Sequence, residues 1–210
     1  MNIEQTVTIT HVVFALSAFL CGFIAIIAKP KGGTLHKKAG RLYVYTYWVV
    51  IATSILFLYY KLTFFFLALT LFNAYLITAG WYYAKTTSNM EKKNRWLLSF
   101  LWLVVIIYIL DLVLMFSNLS NYHYGWIIVH STYALLAISV LLLEFKLKRK
   151  RIVLHTVSMI LSYITLIDGV LARVTPIDLS WICWIIGYVI GVPLLIRWLN
   201  QSKETNTNIN

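Results

Sequence analysis

The chain predicts an all-α transmembrane fold, a seven-helix bundle, and three observations predict it. First, 60% of its 210 residues are hydrophobic, and its mean hydropathy is +0.78, well above a soluble domain. Second, the apolar residues form long unbroken runs instead of alternating. That pattern selects helices over a β-barrel, and only these two satisfy the backbone in lipid. Third, lysines and arginines gather between alternate runs, as membrane insertion requires.

The runs cover residues 7–28, 41–60, 62–84, 96–117, 123–144, 152–173 and 179–199. Each is close to the ~20 residues that cross ~30 Å of hydrocarbon. Lys29, Lys31, Lys37, Lys38 and Arg41 lie between the first two runs. Lys85, Lys92, Lys93 and Arg95 follow the third, and Lys146, Lys148, Arg149, Lys150 and Arg151 follow the fifth. Arg197 and Lys203 follow the seventh, and only Lys61 and Arg173 fall on the opposite side. Sixteen basic residues against two predict an N-terminus outside and a C-terminus in the cytoplasm, in the inner (cytoplasmic) membrane. The net charge of +11 is therefore a topology signal, with anionic lipid headgroups as partners and no nucleic acid.

Residues 1–200 read as one transmembrane domain and 201–210 as a polar, disordered cytoplasmic tail. Met1 to Gln5 carry no basic n-region, so no removable signal peptide is expected. Cys21 and Cys183 fall at different depths in apolar runs, so no disulfide is expected.

Four histidines form two pairs of equal spacing, His11 with His36 and His130 with His155, each 25 residues apart. The pairs are offset by 119 residues. The same offset lays run 1 on run 5, run 2 on run 6 and run 3 on run 7, and it pairs Ala15 with Ala134 and Leu35 with Leu154. This predicts a 3+1+3 parallel internal repeat, halves about 7–84 and 123–199, with 96–117 as the linker helix. SWEET transporters share that architecture, and the likeness is one of layout only.

At 1.5 Å rise per residue, His11, Asp111, His130 and Asp168 all fall about 20–25 Å above the cytoplasmic ends. His36 and His155 form an inner layer. Ionisable groups inside membrane helices are expensive and suggest function. Asp111 and Asp168 should therefore face the bundle interior, with the outer histidines or Arg173 as partners. Ala15, Ala18, Gly22 and Ala25 lie below His11, and Ala134 and Ala137 below His130. Small residues there make room either for a flat cofactor or for a closely packed helix. Gly187 and Gly191 form GxxxG, read as packing. His36, Gly40, Tyr43 and Tyr47 share one face of the second helix, and His155, Met159, Ser162 and Leu166 one face of the sixth. His123 reads as a solvated loop residue.

Two stretches carry a resemblance. THVVFALSAFLCGF…KPKGGTLHKKAGRLYVYT has His11, His36, Gly40, Arg41 and Tyr43 in an H…LHRxxGRxY arrangement. LHTVSMILSYITLIDGVLAR has His155, Met159, Ser162, Tyr163 and Arg173 in an HRRWMxRSYxLxxxxVxxR arrangement, with Thr156 and Val157 where that pattern has arginines. Over about a third of the chain this resembles the DUF2306 family of bacterial integral membrane proteins, a family without an assigned activity. Histidine placement, though not motif, is also similar to that of cytochrome b561-type di-haem proteins.

Three functions follow as expectations. The preferred one is a b-type haem protein moving electrons across the membrane, a possible transmembrane oxidoreductase. His11 with His130 and His36 with His155 would be its axial ligands, Arg41 (or Lys37 or Lys38) and Arg173 its propionate partners, and a redox protein or quinone its partner. The second is a zinc or iron site of His11, His130, Asp111 and Asp168, in a hydrolase, sensor or metal transporter. The third is a small-solute or proton-coupled transporter with the aspartates as proton carriers. No P-loop, nucleophile elbow, CxxC or HExxH is present, which excludes the common soluble-enzyme chemistries.

Overall fold

A computed structural model describes residues 2–60, 62–85, 95–118, 124–147, 150–176 and 180–207. Among them are seven helices and no strand: α1 (Ile3–Ile27), α2 (Thr34–Tyr60), α3 (Phe64–Lys85), α4 (Arg95–Ser117), α5 (Tyr124–Lys146), α6 (Arg151–Val174) and α7 (Ser180–Thr207). The first six are long and apolar enough to cross a membrane.

Several helices start before lipid would begin, because hydropathy marks the edge of the hydrocarbon and not the first hydrogen-bonded turn. Asn2 and Gln5 form a capping box that starts α1 ahead of residue 7. After α1 the chain turns through Gly32, whose φ of 77° suits a residue without Cβ. Helix α2 then begins at Thr34 instead of residue 41, which makes LHKKAGR helical and puts His36 in a first turn. At the other end α7 stays helical through Thr207, where a disordered tail from 201 was expected. Gln201, Lys203 and Glu204 are good helix formers, and no proline follows Pro193.

Helix α3 is the hub, packed against α2, α4, α5 and α6. Its Ala68, Phe72, Tyr75, Leu76, Ile77 and Ala79 are fully buried. One core joins α3, α4, α5, α6 and α7. A second joins α1 and α2 to the faces of α3 and α6. Lipid-facing side chains are as apolar as these, so close packing and internal hydrogen bonds hold the helices together. Helix α1 packs mainly on α2, and α5 on α4 and α7.

Candidate functional site: two histidine layers and a buried hydroxyl core

All four helical histidines hold Nδ1 against an acceptor. His36 Nδ1 donates to the Ala25 carbonyl at 2.9 Å, and His155 Nδ1 to the Gly80 carbonyl at 2.7 Å. A carbonyl only accepts, so Nδ1 carries a proton, and in the neutral ring the lone pair is on Nε2. In the outer layer, His130 Nδ1 meets Asp111 Oδ2 at 2.6 Å. His11 Nδ1 meets Thr53 Oγ1 at 2.8 Å. That hydroxyl donates to α2 backbone carbonyls, so it accepts from His11. A second-shell acceptor on one ring nitrogen is the arrangement that orients a histidine ligand.

His36 and His155 lie within electrostatic range of one another, and neither has another hydrogen-bond partner among the described residues. One turn beyond His36 there is open space at Gly40, where an added Cβ would meet nothing. Arg41, Lys37 and Lys38 are exposed beside it. Deeper by about 10 Å, Tyr43 and Ser162 share a hydrogen bond of 2.8 Å across a separation of 119 residues. That is also the sequence offset between His36 and His155.

The outer four do not gather. His130 stacks on Phe65 at 4.3 Å and bonds α4 through Asp111, while His11 lies against Thr53 and Phe57 of α2. Asp168 accepts instead from the Gly187 N–H at 3.1 Å and, at 3.5 Å, from Tyr133. Among the described residues no group of three or more His, Cys, Asp or Glu side chains is arranged to hold a metal ion. The side chain of Arg173 and all of His123 lie outside the described residues.

The small residues below His11 are packed. Ala15, Ala18, Gly22 and Ala25 are buried, and a Cβ on Gly22 would run into the rings of Tyr163 and Tyr43. Ala134 and Ala137 are likewise buried in the larger core. A cleft of about 410 Å³ lies between α5 and α7, with Thr132, Ser139, Tyr188 and Val192 in its wall and none of the four histidines. GxxxG in α7 has a use beyond packing. Gly187 brings backbone to Asp168, and a Cβ there would collide with that carboxyl group and with Ile164.

Two features were not read from the sequence. Glu144, 4% exposed, accepts from Tyr75 and Tyr83 of α3 at 2.6 Å each. It stands two residues before the basic run from Lys146, which reads as an interface. The second is the buried hydroxyl core. Tyr47 donates to Asn73 at 2.8 Å, Thr165 and Tyr188 share a bond of 2.6 Å, and the rings of Tyr188 and Tyr133 meet edge-on at 5.2 Å. A tyrosine every fourth residue, as at Tyr43 and Tyr47, was the available signal.

Set against family models, curated proteins and solved structures, the chain matches none.

Proposed function

We propose that this multi-pass membrane protein binds one haem b at His36 and His155 and passes electrons through the bundle. The observation that carries the reading is the matched state of the two inner histidines. Each is fixed through Nδ1 by a backbone carbonyl of a different helix, and each offers Nε2. There is open space at Gly40, one helical turn from His36. Arg41, exposed one residue on, suits a propionate better than a lysine does, because its guanidinium forms paired hydrogen bonds. A bound haem would supply a one-electron couple. The protein's own part is to orient two imidazoles and to offer cationic side chains beside them.

His11 and His130 carry the same Nδ1 pattern but lie against different helices, so one haem per chain is proposed here. The basic residues favour seven crossings, with the N-terminus outside and the His36/His155 end at the cytoplasmic face. The 119-residue offset between the histidine pairs favours the parallel repeat. The resemblance to the DUF2306 family remains a proposal of kinship without an activity attached.

The test is stoichiometry. Full-length protein expressed with ample haem supply should hold about one haem per chain. His36→Ala and His155→Ala should each lose it, and His11→Ala should keep it. Haem retained in both inner variants, with loss in His11→Ala or His130→Ala, would move the site outward. Zinc or iron ions bound stoichiometrically in place of haem would replace the reading with a metal centre.

A further inference from the structure

Helix α2 packs mainly on α1 and α3, and α6 on α3 and α7. Two tyrosines of α2 nevertheless reach across to one residue of α6. Tyr43 bonds the Ser162 hydroxyl at 2.8 Å. Tyr47 donates to the Ser162 carbonyl at 3.2 Å and to Asn73 of α3 at 2.8 Å. The Ser162 hydroxyl donates in turn to the Met159 carbonyl, so Tyr43 is the donor in its bond to Ser162. The Asn73 amide donates to the Leu69 carbonyl. Tyr43, Tyr47, Asn73 and Ser162 are all buried, and each of their side-chain donors meets an acceptor. A buried network satisfied in this way makes rigid the helices it joins.

Helix association alone does not set where such a tie falls. Here its register matches the histidines. Tyr43 stands seven residues after His36, and Ser162 seven after His155. Seven residues make nearly two turns, so each tie residue lies on its histidine's face, about 10 Å along the helix. Between the two levels α2 carries Gly40, where an added Cβ would meet nothing. The carbonyls of Ala25 (α1) and Gly80 (α3) orient the two imidazoles. They do not fix the distance between α2 and α6, and the bonds to Ser162 do.

On the haem reading above, on which this rests, we propose that Tyr43 and Ser162, backed by Tyr47, are positioning residues that hold α2 and α6 at the spacing which brings His36 and His155 to one iron. Two ligands on different helices have to be held within ~0.5 Å of their working geometry, and the residues that support them decide whether they are.

The experiment uses full-length protein purified with haem bound. An excess of apo-globin traps haem as it leaves, and the ferric spectrum is recorded. Tyr43→Phe, which keeps its ring against Tyr163, and Ser162→Ala should each release haem about tenfold faster than wild type. Part of the ferric haem in both should turn high-spin as one imidazole lets go. The double variant should be no faster than the quicker single one, because the two share one bond. Tyr188→Phe breaks another buried bond to α6, the 2.6 Å contact with Thr165 that faces α7, and should release haem at the wild-type rate. Should Tyr43→Phe or Ser162→Ala not fold, Tyr47→Phe, which removes the second donor to Ser162, should speed release several-fold. Release at the wild-type rate with an unaltered spectrum in these variants, while His36→Ala and His155→Ala are colourless, would overturn the proposal and leave the haem reading standing. Acceleration in Tyr188→Phe equal to that in Tyr43→Phe would also overturn it, as the mark of a general loss of packing. Wild type without haem would overturn both.

Discussion

Removing Glu144 tests whether buried polar contacts hold α5 to α3. Glu144→Ala strips the shared acceptor from Tyr75 and Tyr83, whose hydroxyls both reach it at 2.6 Å. Tyr75 is 0% and Tyr83 4% exposed, so neither hydroxyl finds water instead. Hydrogen bonds between membrane helices average ~0.6 kcal/mol and reach ~1.7. Two bonds to one carboxyl group therefore give about 1–3 kcal/mol of lost stability. The triple variant Glu144→Leu, Tyr75→Phe, Tyr83→Phe removes donors and acceptor together and should recover most of that loss, because no polar group is then orphaned. Unfolding of the detergent-solubilised protein in graded denaturing detergent, followed by helical circular dichroism, reads both numbers. A Glu144→Ala loss below ~0.3 kcal/mol, or a triple variant weaker than the single one, would refute the reasoning.

Other perturbations follow from the same geometry. Gly187→Ala should destabilise by about 1–3 kcal/mol, since its Cβ meets Asp168 and Ile164; Gly22→Ala should do likewise against Tyr163 and Tyr43. Gly40→Ala, facing open space, should leave the unfolding midpoint unchanged or slightly raised. Asp111→Ala leaves the His130 Nδ1–H without its 2.6 Å acceptor and should cost about 1–3 kcal/mol, measured by the same titration. Asp111→Asn, which keeps an acceptor oxygen, should cost less.

The helices were legible because lipid leaves the backbone no alternative, and a run of twenty apolar residues has one solution. Their starts were less so: Thr34 begins a helix through LHKKAGR, where charge hid the periodicity. The depth of the polar layers followed from helical rise, and it placed Asp111 beside His130 and His36 near His155. Azimuth was the missing coordinate. Equal depth said nothing about which helices adjoin, so Asp168 was grouped with His11 and His130, yet it turns to Tyr133 and Gly187. The small residues below His11 could not declare what would fill the space, and tyrosine rings of α2 and α6 do.

The central claim is that His36 and His155 hold a haem through Nε2. Its most direct test is the visible spectrum of the purified protein before and after dithionite. A sharp Soret band with split α and β bands on reduction, lost in His36→Ala and in His155→Ala, is the predicted result. A colourless preparation from haem-replete cells, or a spectrum unaltered in both variants, would contradict it.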